Sequence, residues 1–245
     1  MIRTFILVFF FALAIVLLLP WLILWTLVTG DPVPMYCVSM GAVRFTVRTV
    51  GVRVRLEGLE NIPAGVCIFA ANHVSNIDPL AFVPLIPRRV SLLMKKELFR
   101  IPLLSFGMRM AGFVPVDRAS RDSASASLAV AVRHLKNGLS FAVYPEGTRS
   151  SNGRLRPFKG GAFVMAIQAG VPIVPVSIVG ARKLLPKGQW ALRPGEIVIR
   201  FGPPVDASQF TVARRSELVA RVESLVAAGL PPEQQPLPRS SRSSA

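Results

Sequence analysis

The chain has few of the residues from which metal centres and disulfide frameworks are built. Its 245 residues include two cysteines, Cys37 and Cys67, and two histidines, His73 and His134. Two cysteines are too few for a disulfide framework, and Cys67 lies in the apolar segment 66–70, which is typical of a buried thiol. Neither histidine has partners at a metal-ligand spacing, so we expect metal-independent chemistry.

Acidic residues are scarce as well. The chain carries 13 Asp and Glu against 29 Lys and Arg, a formal net charge of +16. This surplus favours acidic partners such as phosphate head groups, an anionic leaflet, coenzyme A or an acidic carrier protein. Nucleic acid is the alternative, but the cations form no basic helix, finger spacing or interleaved aromatic run, so we expect no nucleic-acid partner.

Three common catalytic and nucleotide-binding motifs are absent from the sequence, namely Gly-x-Ser-x-Gly, Gly-x4-Gly-Lys and Gly-x-Gly-x-x-Gly. Their absence weakens the serine hydrolase, nucleotidase and dinucleotide-binding interpretations.

Apolar residues, by contrast, are abundant and are concentrated at the N-terminus. They make up 51% of the chain, and no charged residue lies between Arg3 and Asp31. About 20 helical residues span the roughly 30 Å hydrocarbon core of a bilayer, so residues 1–30 are predicted to be a membrane-anchoring segment. Pro20 leaves two alternatives open, a spanning transmembrane helix and a helical hairpin that enters one leaflet. A cleaved signal peptide is disfavoured because no small-x-small site closes the run.

Basic residues follow this segment. Arg44 and Arg48 stand at helical i, i+4 spacing within residues 31–50, which predicts either an interfacial helix or a helix packed on the following domain. They outnumber Arg3, the only basic side chain on the N-terminal side of the uncharged apolar run. The positive-inside rule therefore predicts a protein of the cytoplasmic membrane whose main domain faces the cytoplasm.

Residues 51–230 are predicted to form one α/β domain with a mixed sheet. Alternating side chains at 52–57 indicate a half-exposed strand, and the apolar run 66–71 indicates a buried one. Further strands are predicted near 90–94, 113–116, 139–144, 172–178 and 196–201. Helices are predicted near 78–85, 99–111, 121–136, 161–169 and 208–228. This alternation is typical of an α/β fold, and residues 231–245 are predicted to be a disordered basic tail.

His73 and Asp78 are the first candidate site. A histidine accepts a proton near neutral pH, and a nearby carboxylate can fix its tautomer and stabilise the imidazolium. Their spacing fits a loop that carries His73 into a helix beginning near Ser75 or Asn76, with Asp78 in its first turn. The alternative is structural, because Ser75-x-x-Asp78 also matches a capping box.

A second candidate site follows the predicted strand 139–144, at a position where binding sites are often built. The turn at its end is formed by Glu146, Gly147, Thr148 and Arg149. Glycine permits close approach of the backbone, turn N–H groups can cradle oxygens, and the arginine fork matches phosphate geometry. Lys159 opens the next helix and is a candidate for the same anion site. A solvated turn with a surface arginine and a surface lysine is the alternative.

Together these two runs resemble the glycerolipid acyltransferase family, whose bacterial members include 1-acylglycerol-3-phosphate acyltransferases. Residues 72–78 are similar to its Asn-His-x4-Asp block, and residues 144–150 to its Phe-Pro-Glu-Gly-Thr-Arg-Ser block, with Tyr144 in place of Phe. Residues 112–118 are similar to its Gly-x-x-x-x-Asp-Arg segment, and residues 171–176 to its Val-Pro-Ile-Val-Pro-Val strand. The four blocks stand in family order, and the resemblance covers about residues 50–205.

The resemblance implies that residues 51–230 are an O-acyltransferase domain. A fatty acyl group would pass from acyl-CoA or an acyl carrier protein to 1-acylglycerol-3-phosphate, giving phosphatidic acid in phospholipid biosynthesis, with no cofactor beyond the acyl donor. Carried over by position, the catalytic pair is His73 and Asp78. The substrate-binding set is Arg118, Glu146, Gly147, Thr148, Arg149 and Lys159. Within this set, Glu146 is expected to secure the loop.

Two alternatives to this function stay open. One is acylation of another lyso-lipid, such as a lysophospholipid or an amino-acid-derived lyso-lipid. The other is a non-catalytic, membrane-anchored protein that binds anions. Both are compatible with the charge and the apolar N-terminal segment.

Overall fold

Parallel strands whose two faces are both buried form the centre of the protein. The computed structural model describes residues 1–117 and 121–236, and within these ranges the strands make one seven-stranded sheet. They are β1 (Val52–Glu57), β2 (Ile68–Ala71), β3 (Val90–Lys95), β4 (Val114–Val116), β5 (Ser140–Val143), β6 (Ile173–Val179) and β7 (Gly195–Phe201). Their order across the sheet is β1-β7-β6-β2-β5-β3-β4, and every neighbouring pair is parallel except β6 and β7. The predicted α/β class with a mixed sheet is confirmed.

Apolar runs of the sequence occupy the middle of this sheet. Every residue of β2 and β5 is buried, as are six of the seven residues of β6. Because successive side chains point to opposite faces, Phe69 and Ala71 join one core while Ile68 and Ala70 join the other. Continuous apolar sequence is what a parallel sheet covered on both faces requires.

Helices cover the two faces of the sheet. They are α1 (Ile2–Leu17), α2 (Leu19–Thr29), α3 (Val33–Thr49), α4 (Asp78–Phe82), α5 (Pro102–Met110), α6 (Arg121–Lys136), α7 (Gly161–Ala169), α8 (Ala181–Leu184) and α9 (Arg215–Ala228). One core contains buried residues of α1, α3 and α4, and the other contains buried residues of α6, α7 and α9. The apolar N-terminal segment and α9 therefore lie on opposite sides of the sheet.

Several helices differ from their predicted bounds for reasons that lie in single residues. α4 ends early because Pro84 has no N–H to continue the helical ladder, and a 3₁₀ turn follows. α5 begins at Pro102, since proline favours the first helical position. α9 starts only after a 3₁₀ helix at Ala207–Gln209, which Asp206 caps by accepting from the Ser208 N–H at 2.9 Å. The short α8 was not predicted.

The N-terminal apolar segment is one interrupted helix. Helical hydrogen bonds continue on both sides of Leu18, from Leu18 N–H to the Ala14 carbonyl at 3.0 Å and from Leu22 N–H to the Leu18 carbonyl at 3.1 Å. The interruption precedes Pro20, which has no N–H to donate. Together α1 and α2 span Ile2–Thr29, the one helix in the described chain that is long and apolar enough to cross a membrane.

The reversal of chain direction comes after α2, where α3 runs back along both α1 and α2. On its inner side the Tyr36 hydroxyl is buried and accepts from the Val90 N–H at 3.1 Å. Arg44 and Arg48 on its other side are exposed. Residues 31–50 thus form a helix that packs on the domain and presents basic residues outward.

The ordered chain continues past the predicted end of the domain at residue 230. Gln234 is buried, and its carbonyl accepts the Leu155 N–H at 2.8 Å. Residues 231–236 therefore pack on the domain, in contrast to the predicted start of the tail. Residues 237–245 lie outside the described ranges.

Candidate active site

His73 stands at the carboxyl end of β2, in the loop that leads to α4. Asn72 fixes the start of this loop, since its side-chain amide donates to the Ile178 carbonyl at 3.0 Å and accepts from the Ile178 N–H at 2.7 Å. On the other side, the Ser150 N–H donates to the His73 carbonyl at 2.9 Å. The backbone of His73 is therefore held both by β6 and by the loop that follows β5.

The side chains of His73 and Asp78 meet. His73 Nδ1 lies 2.8 Å from Asp78 Oδ2, and the same oxygen accepts from the backbone N–H groups of Val74 and Ser75, each at 2.8 Å. Asp78 is fully buried, whereas the imidazole side chain is 13% exposed. The bond from Ser75 is the one that the predicted capping box would make, but α4 begins only at Asp78, so Ser75 lies in the loop before the helix. One carboxylate thus fixes the loop before α4 and orients the histidine.

Tyr144 forms a wall beside the imidazole. Its ring stacks on that of His73, with the ring centroids 4.3 Å apart and the planes inclined by 28°. The phenol oxygen is buried and has no hydrogen-bond partner among the described residues. Burial, assisted by the charge of Asp78, raises the pKa of the phenol well above its ordinary value. The hydroxyl stays protonated at neutral pH, so Tyr144 serves the histidine as an aromatic surface.

Glu146 is a buried carboxyl group that connects two loops. Its Oε1 accepts from the His73 N–H at 2.7 Å, and its Oε2 accepts from the Arg156 N–H at 3.2 Å. Burial raises the pKa of Glu146 to about 7, although both backbone donors favour the charged form. Because both oxygens bind the protein's own backbone, the geometry supports the expectation that this residue secures the loop.

Gly147 and Lys159 are in contact beside the same turn. Gly147 has a left-handed φ of 74°, and a Cβ at this position would lie 3.0 Å from Lys159 Nζ. The Lys159 N–H donates to the Pro145 carbonyl at 2.9 Å, which holds the lysine next to the turn. Thr148 is exposed and Arg149 is half-buried. The turn therefore combines a close backbone approach with two neighbouring cations.

Arg118, a predicted phosphate ligand, lies outside the described ranges, and its role stays a prediction. The residue before it, Asp117, forms an ion pair with Lys96. β4 runs parallel to β3, β3 to β5 and β5 to β2. Asp117 therefore follows β4 at the same edge of the sheet at which His73 follows β2.

The segment after α8 closes this edge of the sheet, and none of the sequence motifs predicts it. Ser75 Oγ donates to the Leu185 carbonyl at 2.6 Å, and Lys187 Nζ donates to the Arg149 carbonyl at 3.0 Å. A signal for it was present, since no acidic residue occurs between positions 146 and 196. The cations in this interval are Arg149, Arg154, Arg156, Lys159, Arg182, Lys183, Lys187 and Arg193. A run of this kind indicates a positively charged surface.

An apolar cavity of about 360 Å³ lies between the N-terminal helices and the sheet. Its walls come from α1, α2, α3, α4, β3 and α5, and they include Pro79 and Leu80, which directly follow Asp78. Its volume falls within the roughly 300–1,000 Å³ of small-molecule sites. Since its lining is assembled from distant parts of the chain, no local sequence pattern predicts it.

The His73 imidazole can therefore act as a base that the Asp78 carboxylate orients, and both groups lie next to cations and an apolar cavity. An imidazole that donates from Nδ1 to a carboxylate keeps Nε2 as a proton acceptor. Within the described ranges, no group of three or more His, Cys, Asp or Glu side chains is placed to hold a metal ion.

Comparison with known proteins gives consistent matches. A family model described as Acyltransferase matches residues 53–179. The 1-acyl-sn-glycerol-3-phosphate acyltransferase of Limnanthes alba is 33% identical over 194 residues, covering 79% of this chain and 69% of that protein. The protein of the same name from Salmonella typhimurium is 34% identical over 163 residues, covering 66% of each chain.

A solved structure agrees with these matches. The crystal structure of the 1-acyl-sn-glycerophosphate (LPA) acyltransferase PlsC from Thermotoga maritima superposes with a TM-score of 0.75 at 30% sequence identity. The superposition covers 93% of this chain and 95% of that one. The matched family segment contains His73, Asp78 and the turn at 146–149. This chain therefore belongs to the Acyltransferase family of enzymes.

Proposed function

We propose that this enzyme transfers a fatty acyl group from an acyl-CoA or acyl carrier protein thioester to the free hydroxyl of 1-acylglycerol-3-phosphate, giving phosphatidic acid. The observation that carries the proposal is the His73–Asp78 pair, joined at 2.8 Å at the edge of the sheet. Relatives that are about one third identical carry the name of this activity. The charge of the chain suits an acceptor and a donor that both bear phosphate.

In the proposed step, His73 Nε2 takes the proton of the acceptor hydroxyl. The hydroxyl oxygen attacks the thioester carbonyl carbon, so that the new C–O bond forms and the C–S bond breaks. The thiolate leaves and receives the proton from the imidazolium. Asp78 keeps the imidazole in the required tautomer and stabilises its charged form. The transfer is direct and needs no acyl-enzyme.

Phosphate binding would align the acceptor for this attack. Arg149 supplies a bidentate fork, and Lys159 with the backbone of Gly147 adds positive potential beside it. Arg118 is assigned to the same phosphate by its position in the matched block. Holding the phosphate places the hydroxyl, which converts binding into orientation. Glu146 acts as a positioning residue, because it fixes the His73 backbone without facing substrate.

The apolar cavity is the space that we assign to the acyl chain. Pro79 and Leu80 in its wall follow Asp78 directly, so the cavity begins next to the catalytic pair. An apolar chain in an apolar cavity removes hydrocarbon from water, which stabilises the complex by about 0.8 kcal/mol for each buried CH₂ group.

We assign the N-terminal helix to the membrane, with the domain on the cytoplasmic side. Its outer surface exposes apolar side chains, among them Phe5, Phe9, Trp21 and Trp25. Arg3 at its start donates to the Val50 carbonyl at 2.8 Å, and Ile23 beyond Pro20 packs in a cluster with Ala111. A helix held against one domain at two distant points fits insertion into a single leaflet. The exposed Arg44 and Arg48 favour the cytoplasmic leaflet.

The test is acceptor-dependent release of thiol from acyl-CoA and from acyl carrier protein. The acceptor panel contains 1-acylglycerol-3-phosphate, glycerol-3-phosphate, a lysophospholipid without a phosphomonoester and an amino-acid-derived lyso-lipid. We expect the highest kcat/KM with 1-acylglycerol-3-phosphate, and a loss of about 10² to 10⁴ in His73→Ala, which removes the base. A higher kcat/KM with another acceptor would replace the proposed substrate, and no acceptor-dependent release at all would leave an anion-binding protein.

A further inference from the structure

The connection between α8 and β7 carries a large apolar side chain on the protein surface. In this connection, which we call the Trp190 loop (residues 186–194), Trp190 is 75% exposed. The chain has three tryptophans, and the other two, Trp21 and Trp25, are exposed on the N-terminal helix that we assign to the membrane. An isolated exposed apolar residue needs no explanation, so the inference depends on what surrounds this one.

The Trp190 loop is attached to the start of the N-terminal helix. The Leu192 N–H donates to Thr4 Oγ1 at 3.0 Å, and the Thr4 hydroxyl in turn donates to the Trp190 carbonyl. Its end is held at the same place, because the Gly195 N–H donates to the Gly51 carbonyl at 3.1 Å. The backbone of Trp190 therefore stands beside the first turn of α1, where Met1, Ile2 and Phe5 are also exposed.

The residue types in and around the loop are those that proteins place at a lipid interface. Indole has an apolar ring and a polar N–H, and tryptophan is enriched at the boundary between hydrocarbon and water. Lys183, Lys187 and Arg193 surround Trp190 in the sequence, and no acidic residue occurs from 147 to 195. Cations of this kind attract an anionic leaflet. The attachment to the start of the exposed apolar helix and the absence of acidic residues in this interval both favour a lipid surface over a protein partner.

The other end of the loop reaches the active site. Lys187 Nζ donates to the Arg149 carbonyl at 3.0 Å, and the Leu185 carbonyl just before the loop accepts from Ser75 Oγ at 2.6 Å. A contact made by Trp190 with the membrane is thus one short segment away from the turn assigned to the acceptor phosphate.

We propose that the Trp190 loop is a second membrane contact, in which Trp190 enters the interface of an anionic leaflet and holds the active-site edge against the lipid surface. The proposal rests on the proposed function in one respect, the assignment of the N-terminal helix to the membrane. It deepens that function because it explains how a lipid acceptor reaches His73 from the bilayer.

The first test uses Trp190 as its own reporter. In the full chain carrying Trp21→Phe and Trp25→Phe, Trp190 is the only tryptophan, and its emission is followed with vesicles of phosphatidylcholine and phosphatidylglycerol in equal amounts. We expect a blue shift on vesicle binding and quenching by brominated lipid. If the protein sediments with the vesicles while the emission of Trp190 stays as in buffer, the indole remains in water and the proposal is wrong. This readout requires no turnover, so it is independent of the proposed substrate.

The second test compares two presentations of the acceptor. In Trp190→Ala, transfer to a short-chain, monomeric acceptor should match the wild type, while transfer to the same head group embedded in anionic vesicles should fall about tenfold, as partial loss of one buried aromatic side chain predicts. Val212→Ala, at an exposed apolar residue before α9 on the other side of the sheet, is the matched control and should leave both rates unchanged. Equal losses with both acceptors would assign Trp190 a structural role, and no loss on vesicles would remove it from the membrane contact.

Discussion

Replacement of Asp78 by asparagine tests the charge of the buried pair while keeping its shape. Oδ2 accepts three N–H donors, so the new side chain will place its amide oxygen there, because an NH₂ group at that position would face all three. The NH₂ group then occupies the place of Oδ1, which has no hydrogen-bond partner among the described residues. The hydrogen bonds to His73, Val74 and Ser75 survive, and only the negative charge is lost.

The size of the effect follows from the distance between the two groups. With Nδ1 and Oδ2 2.8 Å apart, the centres of charge of imidazolium and carboxylate are separated by roughly 4 Å, at which two unit charges interact by about 4 kcal/mol at an effective dielectric constant near 20. Each loss of about 1.4 kcal/mol of transition-state stabilisation is tenfold in rate. We therefore expect Asp78→Asn to lower kcat by about 10³. The acceptor KM should change little, because Asp78 is fully buried and has no surface with which to touch substrate.

The assay is thiol release from acyl-CoA with saturating and limiting 1-acylglycerol-3-phosphate. Cys37 is an exposed thiol that will react with a thiol reagent, so each rate is corrected with a blank that lacks acceptor. Asp206→Asn is the matched control, since Asp206 also accepts backbone N–H at the start of a helical turn but has no histidine beside it. This variant should keep the wild-type kcat.

A kcat of Asp78→Asn within tenfold of the wild type, in a variant with an unchanged thermal transition, would refute the charge argument. In that case the carboxylate would serve only to fix the loop before α4. A raised acceptor KM at constant kcat would place Asp78 in binding and not in proton transfer.

Three further changes test the surroundings of the pair. Arg149→Ala should raise the acceptor KM about 10- to 100-fold, which corresponds to the loss of one charge-assisted hydrogen bond. Arg154→Ala is the control and should leave KM unchanged, because the Arg154 guanidinium binds the Gln235 carbonyl. If steady-state kinetics give Arg149→Ala the KM of the wild type, Arg149 is not part of the phosphate site. Burial raises the pKa of Glu146 from 4.5 to about 7, so the folded state binds the proton more tightly than the unfolded state does. The free energy of unfolding should therefore fall as the pH rises from about 4.5 to about 7, by up to about 3 kcal/mol. Denaturant unfolding of the wild type and Glu146→Gln at pH values on either side checks this, and an identical pH dependence in the two would contradict it. Tyr144→Phe removes a buried hydroxyl without a partner among the described residues, so thermal unfolding should show equal stability or a gain of about 1 kcal/mol; a clear loss would mean that the hydroxyl is bound.

Local patterns in the sequence were sufficient to predict the sheet. β2, β5 and β6 are continuous apolar runs, and burial on both faces of a parallel sheet is the physical reason for such runs. The antiparallel position of β7 beside β6 could not be derived, because strand order depends on contacts between segments far apart in the chain. Helix bounds failed where one residue overrode the periodicity, as Pro84 does after α4.

Only the local features of the candidate site could be predicted from the sequence. The His73–Asp78 contact follows from a five-residue spacing, and the turn that carries Arg149 follows from its place after a strand. Long-range contacts could not be predicted in the same way. They include the stacking of Tyr144 on His73, the walls of the cavity and the bond from Lys187, which all join segments far apart in the chain. Glu146 is intermediate, since its position in the turn indicated a structural role but not the second loop that it binds.

The Asn72 and Glu146 contacts also determine when the enzyme can become active during its synthesis. The partners of Asn72 and of the His73 backbone lie 106 and 73 residues further along the chain. The neighbours of β2 in the described sheet are β5 and β6, and both leave the ribosome later. Since chains are made from the N-terminus, the apolar helix can reach the bilayer before the hydrogen-bond partners of residues 72–78 have been synthesised. A chain truncated between Lys159 and Val179 should therefore be located at the lipid surface but be unable to acylate a lipid, even though it contains every residue assigned to the site.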